Sequence, residues 1–366
     1  MAIDITKLVP SFSAAELQAY INEYNLGDLQ FKSFFPSLFT PVLTFEALQA
    51  DFSAKVAADV VAFDSRAPRK GRNLPGKVTG DIPKVEIAKV KKESDLNIFR
   101  QLQAAVNNAN SVGARAQIFR RIIDWIYGDS TAVLDGVNAR MEWLAKRVAS
   151  TGKYKLTIVN NEAGVVTSVD VDFGIPGGNI TNAAVDWDTT ASAKPITDFK
   201  TKLAAARAKG INLQFAIMDR ATFDRMVLTD EVQKFAASFA QNALSLTQIP
   251  NFDTVNTTLR AAGLPTIILW DSIINLESKA GVLTATTGWE DGNVLFTQTR
   301  QVGNVQWTTT ADDFVTIDDS QKSNNDFVLV KVYAEQDPIT MITKGMAYAT
   351  PVLNGASNLF ILKTQL

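Results

Sequence analysis

From Ser65 to Lys92 the chain sets nine basic residues against two acidic ones, Asp81 and Glu86, in a protein whose net charge is only −2. Within it, Ser65-Arg66-Ala67-Pro68-Arg69-Lys70-Gly71-Arg72-Asn73-Leu74-Pro75-Gly76-Lys77 has too few apolar side chains to bury a core of its own. The stretch must therefore extend from a body built elsewhere. Phe45, Leu48, Phe52, Val56, Val60 and Val61 hint at a strand leading out, and Val85, Ile87 and Val90 suggest one coming back. Residues 47–93 thus read as a long two-stranded hairpin, marginal alone, with a basic tip around Arg66, Arg69, Lys70, Arg72 and Lys77. The tip is either a solvated surface or an arm that an acidic neighbour orders.

The body has material enough. At 366 residues, 46% of them hydrophobic, the chain suggests about two domains. It has no cysteine, which excludes disulfides and thiolate metal sites and fits a reducing compartment. It also has no histidine. That removes Ser-His-Asp and Cys-His catalysis and His-based zinc and iron sites. We read no catalytic residue, no metal ligand set and no cofactor motif. Phe173-Gly174-Ile175-Pro176-Gly177-Gly178 lacks the lysine and strand-to-helix setting of a phosphate loop and reads as a turn. No run approaches the roughly 18–20 apolar residues of a membrane span, and the N-terminus shows no secretory pattern. A global basic surplus, the usual footprint of nucleic-acid binding, is missing.

Along the chain, Ser13-Ala14-Ala15-Glu16 matches a capping box ahead of a helical face of Leu17, Tyr20, Ile21 and Tyr24. That helix packs on its own domain or on a neighbour. Phe31 to Phe45 is an aromatic cluster that Pro36 and Pro41 keep extended. Residues 94–152 read as helices, with a break at Gly128-Asp129-Ser130. The longest helix covers Thr131 to Ser150, with Leu134, Val137, Met141, Leu144 and Val148 as its stripe and Gly152 as its stop. Tyr154–Val159 and Val165–Val171 form a β-hairpin. Residues 195–325 alternate helix and strand as a second, α/β unit. Asp312, Asp313, Asp318, Asp319 and Asp326 make its end acidic, without the spacing of an EF-hand. They form a solvated loop or an electrostatic partner for the basic tip. Residues 327–366 turn to β and return to the 94–172 region, which makes the middle unit an insertion.

This order of segments resembles the phage lambda type of major capsid protein, the gene E family. The nearest local matches are Phe34-Phe35-Pro36-Ser37-Leu38-Phe39 and the ending from Ala334-Glu335-Gln336-Asp337-Pro338 to Ala349-Thr350-Pro351-Val352-Leu353. The resemblance implies an α+β chain with the tailed-phage major capsid protein fold. It implies an N-terminal arm (1–46), an extended β-hairpin loop (47–93), a peripheral domain with a long spine helix (94–190 and 326–366) and an inserted α/β axial domain (191–325). The implied function is self-assembly into hexamers and pentamers of an icosahedral or prolate head enclosing double-stranded DNA, without enzymatic activity. Implied partners are other copies, a separate scaffolding protein, a portal, a decoration protein, and packaged DNA bound without sequence specificity, with no membrane and no cofactor. The implied location is the virion shell, assembled in the bacterial cytoplasm. Some relatives crosslink lysine to asparagine, and that chemistry is assigned to no particular residue here. The inter-subunit candidates are Arg66, Arg69, Lys70, Arg72 and Lys77 on one side and Asp312, Asp313, Asp318 and Asp319 on the other. The alternatives are a tail-tube protein, a nucleic-acid-binding protein using the 66–92 loop, and a carboxylate-dependent hydrolase, for which no convincing carboxylate pair is found.

Overall fold

The computed structural model describes residues 13–25, 27, 29–49, 76–108, 111–157, 160–161, 169–237, 248–278, 280–315 and 320–365. Helix α1 (Ala14–Glu23) starts where the capping box places it: the Ser13 hydroxyl accepts the Glu16 N–H, and the Glu16 carboxylate accepts the Ser13 N–H. It packs on its own chain. Leu17 and Ile21 are buried, and Tyr20 stacks on Tyr127 at 4.7 Å. A single turn, α2 (Phe31–Phe34), precedes β1 (Ser37–Phe39), and Phe31, Phe34 and Phe35 are fully buried.

Strands β2 (Thr44–Gln49) and β3 (Gly76–Asp81) form an antiparallel ribbon of their own, with Phe45 opposite Gly80. A Cβ on Gly80 would sit 2.6 Å from the Phe45 ring, so the ring packs directly against the glycine. Here the structure corrects the expected hairpin. Its returning strand is β3, not residues 85–90. Pro83, without an N–H to donate, separates Asp81 from β4 (Lys84–Lys91), and β4 pairs with a different sheet. Lys77 lies on β3. Arg66, Arg69, Lys70 and Arg72 lie outside the described residues.

Helix α3 (Glu93–Asn108) is followed by α4 (Val112–Thr151), 40 residues long and about 60 Å from end to end at helical rise. The break expected at 128–130 does not occur. Gly128 costs a helix interior about 1 kcal/mol relative to alanine, but its neighbours tie the turn down. Lys91 reaches Asp129 at 2.5 Å and lies over the Trp125 ring, and the Thr131 hydroxyl donates to the Gly128 carbonyl. The expected stop holds: Gly152 ends the helix in the left-handed region, at φ 76°. The base of the expected hairpin follows as β5 (Lys153–Lys155) paired with β6 (Asp170–Asp172).

The remaining elements are β7 (Ile180–Asn182), α5 (Pro195–Ala208), β8 (Phe215–Met218), α6 (Arg220–Val227), α7 (Asp230–Ala236), α8 (Phe252–Ala261), β9 (Thr266–Leu269), β10 (Ile274–Glu277), β11 (Leu283–Thr286), β12 (Asn293–Thr297), β13 (Gly303–Thr308), α9 (Ala311–Phe314), β14 (Ser320–Asn325), β15 (Val328–Gln336), β16 (Ile339–Leu353) and β17 (Phe360–Lys363). Asp219 and Asn251 cap α6 and α8 with their side chains.

Two larger sheets organise these strands. The first runs β1-β13-β16-β15-β14, with β4 joined to β16; the second runs β7-β17-β12-β8-β9. The pairing does not divide at 190/191 and 325/326. Strands β13 and β14 belong to the first sheet, while β7 and β17 belong to the second. Phe360, Ile361 and Leu362 are all buried, which is the pattern of a strand covered on both faces and suits β17 to a sheet interior. Helix α4 lies close against the first sheet: a Cβ on Gly345 in β16 would meet the Val133 carbonyl at 2.8 Å.

Candidate inter-subunit surfaces

A protein that works through contacts between copies needs a rigid body and surfaces left uncovered. The rigid body has an ionic anchor at its centre. Glu142, on α4, is fully buried. Its carboxylate accepts the backbone N–H groups of Gln30 (3.0 Å) and Phe31 (2.7 Å), the indole N–H of Trp270 and the hydroxyl of Ser272. Lys146, one turn on and also fully buried, donates to the Ser272 carbonyl and stands 3.9 Å from Glu142. Burial pushes the Lys146 ammonium down to about 8, against the pull of Glu142. The cluster ties three separate segments together: the aromatic anchor, α4 and the β9–β10 connection. Phe34 stacks on Trp270 at 4.3 Å to complete it. Sequence reading missed Glu142, because a charge inside a helical stripe looks like any solvated position until its partners are known.

The candidates chosen from sequence are placed as follows. Lys77 pairs with Glu46 across the β2–β3 ribbon. Asp312 accepts from the buried Lys331 at 2.7 Å, and that contact holds its carboxyl below the ordinary range. Asp313 accepts from the Asn324 amide at 3.1 Å. Lys322 donates to the Asp312 and Val315 carbonyls at the end of α9. The structure thus brings Lys77 to neither Asp312 nor Asp313. Asp318 and Asp319, like the four basic residues of the tip, lie outside the described residues.

Among the described residues, three stretches of uncovered apolar surface stand out beside others such as Phe314 and Val315. The first is the edge strand β1 and its exit, with Leu38, Phe39, Val42 and Leu43 exposed. The second is the first part of α4, with Val112, Phe119 and Ile123 exposed. The third is the β10–β11 hairpin, with Ile273, Val282 and Leu283 exposed. Large exposed side chains gathered in this way mark contact sites. A groove of about 930 Å³ between β4, α4 and the β10–β11 hairpin has the size of a ligand site. However, the charged residues on its β4 and α4 walls are already engaged: Glu86 pairs with Lys84 and Lys344, and Arg140 donates to Asn160 and Asn161. Among the described residues no group of Asp and Glu is placed to hold a metal ion, and no helix is long and apolar enough to cross a membrane.

A long helix laid across one sheet, a second mixed sheet with helices, and a separate two-stranded ribbon define the class: the tailed-phage capsid fold. The phage major capsid protein E family model matches residues 44–364, and the chain belongs to that family. Two solved structures resemble it over nearly their whole lengths. One is a chain assigned as the capsid protein of a prophage in Escherichia coli CFT073, with TM-score 0.58, 15% identity, and coverage of 96% of this chain and 99% of that one. The other is a phage-related protein of Bordetella bronchiseptica RB50, with TM-score 0.50, 10% identity, and coverage of 96% of each. At these identities the likeness is one of fold. No curated protein matches the chain. Family and fold together make it a capsid-forming structural protein of a phage virion, which assembles with its own copies.

Proposed function

We propose that copies of this chain form hexamers and pentamers that close into a head, icosahedral or prolate, around double-stranded DNA. The observation that carries this reading is the β2–β3 ribbon. It pairs with neither of the larger sheets, and the 26 residues it leads into, 50–75, hold the basic tip. Such a ribbon is marginally stable alone and gains most by lying on another subunit. Contacts of this like-to-unlike kind close rings. Under this reading the second sheet and its helices face the symmetry axes as an axial domain, and α4 with the first sheet forms the periphery.

Arg66, Arg69, Lys70, Arg72 and Lys77 then face the acidic segment of a neighbour, with Asp312, Asp313, Asp318 and Asp319. Asp312 already neutralises Lys331, so it offers less than a full charge. Each exposed pair contributes only about 0–1 kcal/mol, so the effect comes from repetition around the shell. A separate scaffolding protein, a portal and a decoration protein complete the partner set, DNA is held without sequence specificity, and assembly takes place in the bacterial cytoplasm. The chain turns over no substrate and needs no cofactor.

Reversing Arg66, Arg69 and Arg72 to glutamate together tests this reading. A folded monomer that no longer forms particles is the expected result. Normal particles from the triple variant would refute the role of the tip.

A further inference from the structure

The two parts of α4 carry matched surfaces. Near its start, Val112, Ala116, Phe119 and Ile123 recur at i, i+4, i+7 and i+11, which lines them along one helical face. That face is bare: Val112 is 86% exposed, Phe119 56% and Ile123 39%. Another face of the same stretch is occupied by α3, where Phe99 stacks on Trp125 at 4.5 Å. Helical spacing sets Arg115 and Arg120 on the two flanks of the bare stripe, with Asp124 beyond Arg120.

Further along, the Glu142–Lys146 cluster fixes Trp270 and Ser272, and with them the start of the β10–β11 hairpin. This hairpin is also apolar and bare, with Ile273 69% and Leu283 62% exposed. Glu277 stands directly across the ladder from Leu283. Asp271 and Glu277 are exposed and make no ion pair among the described residues. The hairpin shares a groove with α4 residues from Gly136 onward, and from Arg120 to Gly136 the helix rises about 24 Å, so one subunit cannot bring its own two surfaces together. Both are held ready, one by α3 and the other by the buried cluster, which lowers the ordering cost of binding.

We propose that the Val112–Ile123 stripe of one subunit docks on the β10–β11 hairpin of a second copy of this chain, with Arg115 and Arg120 facing Asp271 and Glu277. Two different patches meeting head to tail generate a ring rather than an isolated dimer. The inference rests on the shell reading above, and it locates a contact other than the basic tip.

The test uses three full-length variants beside the parent: Arg115→Glu with Arg120→Glu; Asp271→Lys with Glu277→Lys; and all four together. Circular dichroism and thermal unfolding show that each variant is folded; because Asp271 also lends its charge to the buried Lys146, Glu277→Lys alone serves as a second variant of the hairpin side. Each half-reversed variant should give at least about tenfold fewer particles by sedimentation and electron microscopy, since like charges then meet. The fourfold variant should recover particles. Normal assembly of either half-reversed variant, or failure of the fourfold variant to assemble better than its halves, would overturn the contact while leaving the shell reading intact. Failure of the parent itself to assemble would overturn both.

Discussion

Glu142 and Trp270 lie 128 positions apart, and the indole N–H of one donates to the carboxylate of the other inside a fully buried cluster. The same carboxylate holds the Gln30 and Phe31 amides. One side chain therefore fixes the aromatic anchor, α4 and the β9–β10 connection with respect to each other. The joint is specified by hydrogen bonds as well as by packing.

Removing that carboxylate leaves two amides, an indole, a hydroxyl and a buried lysine short of an acceptor or counter-charge. Glu142→Ala should lose about 3–5 kcal/mol in urea unfolding, the range for breaking a buried pair from one side. Glu142→Gln keeps one acceptor oxygen and should lose less. A loss under 1 kcal/mol for the alanine variant would show that the cluster is dispensable.

Stability should rise from pH 8 toward pH 10 and fall beyond it. Burial lowers Lys146 and Lys202 to about 8 in the folded chain, against 10.5 for a free lysine. Across that window the unfolded state binds more protons, so raising the pH favours the native state. Tyr24, held by its hydrogen bond to Asp135, and Tyr154, buried, are raised to about 12 against 10.0. Above pH 10 the native state holds their protons more tightly, and further alkali destabilises it. Chemical unfolding at successive pH values measures this. Lys146→Met should flatten the rising limb; an unchanged limb would exclude Lys146 as its source.

Two glycine substitutions should move stability in opposite directions. Nothing lies within 4 Å of a Cβ at Gly128, so Gly128→Ala should stabilise α4 by about 0.4–1 kcal/mol. Gly345→Ala drives a methyl into the Val133 carbonyl at 2.8 Å, which should cost about 1–3 kcal/mol by forcing helix and sheet apart. Thermal unfolding of both variants checks the pair.

The disassembled protein should bind duplex DNA weakly. In the proposed shell the β2–β3 ribbon is taken up by protein contact, and the net charge is −2. Fluorescence anisotropy with a labelled duplex would show a low affinity at 50 mM salt. Tight binding that collapses by 200 mM would instead mark the basic stretch as a phosphate-binding surface.

Much of this fold was legible because local chemistry and tertiary context agree. Ser13 and Glu16 cap α1, Gly152 stops α4, and the β-rich end expected over 327–366 carries β15, β16 and β17. The failures have physical causes. Gly128 reads as a break only until Lys91 is seen to clamp the next turn from another element. Val85 and Ile87 read as the return of the hairpin because strand periodicity does not reveal which partner a strand pairs with; Pro83 was the available signal. The bare stripe of α4 repeats like a core stripe, since sequence spacing gives the face of a helix but not its occupant. The tie from Asp312 to Lys331 was not legible because the two lie 19 positions apart on different elements.

The central claim is that this chain closes into shells with its own copies, and electron microscopy of the concentrated purified protein tests it most directly. Closed shells, or rings of five and six subunits, are the expected result. Open tubes, or monomers at every concentration, would contradict it.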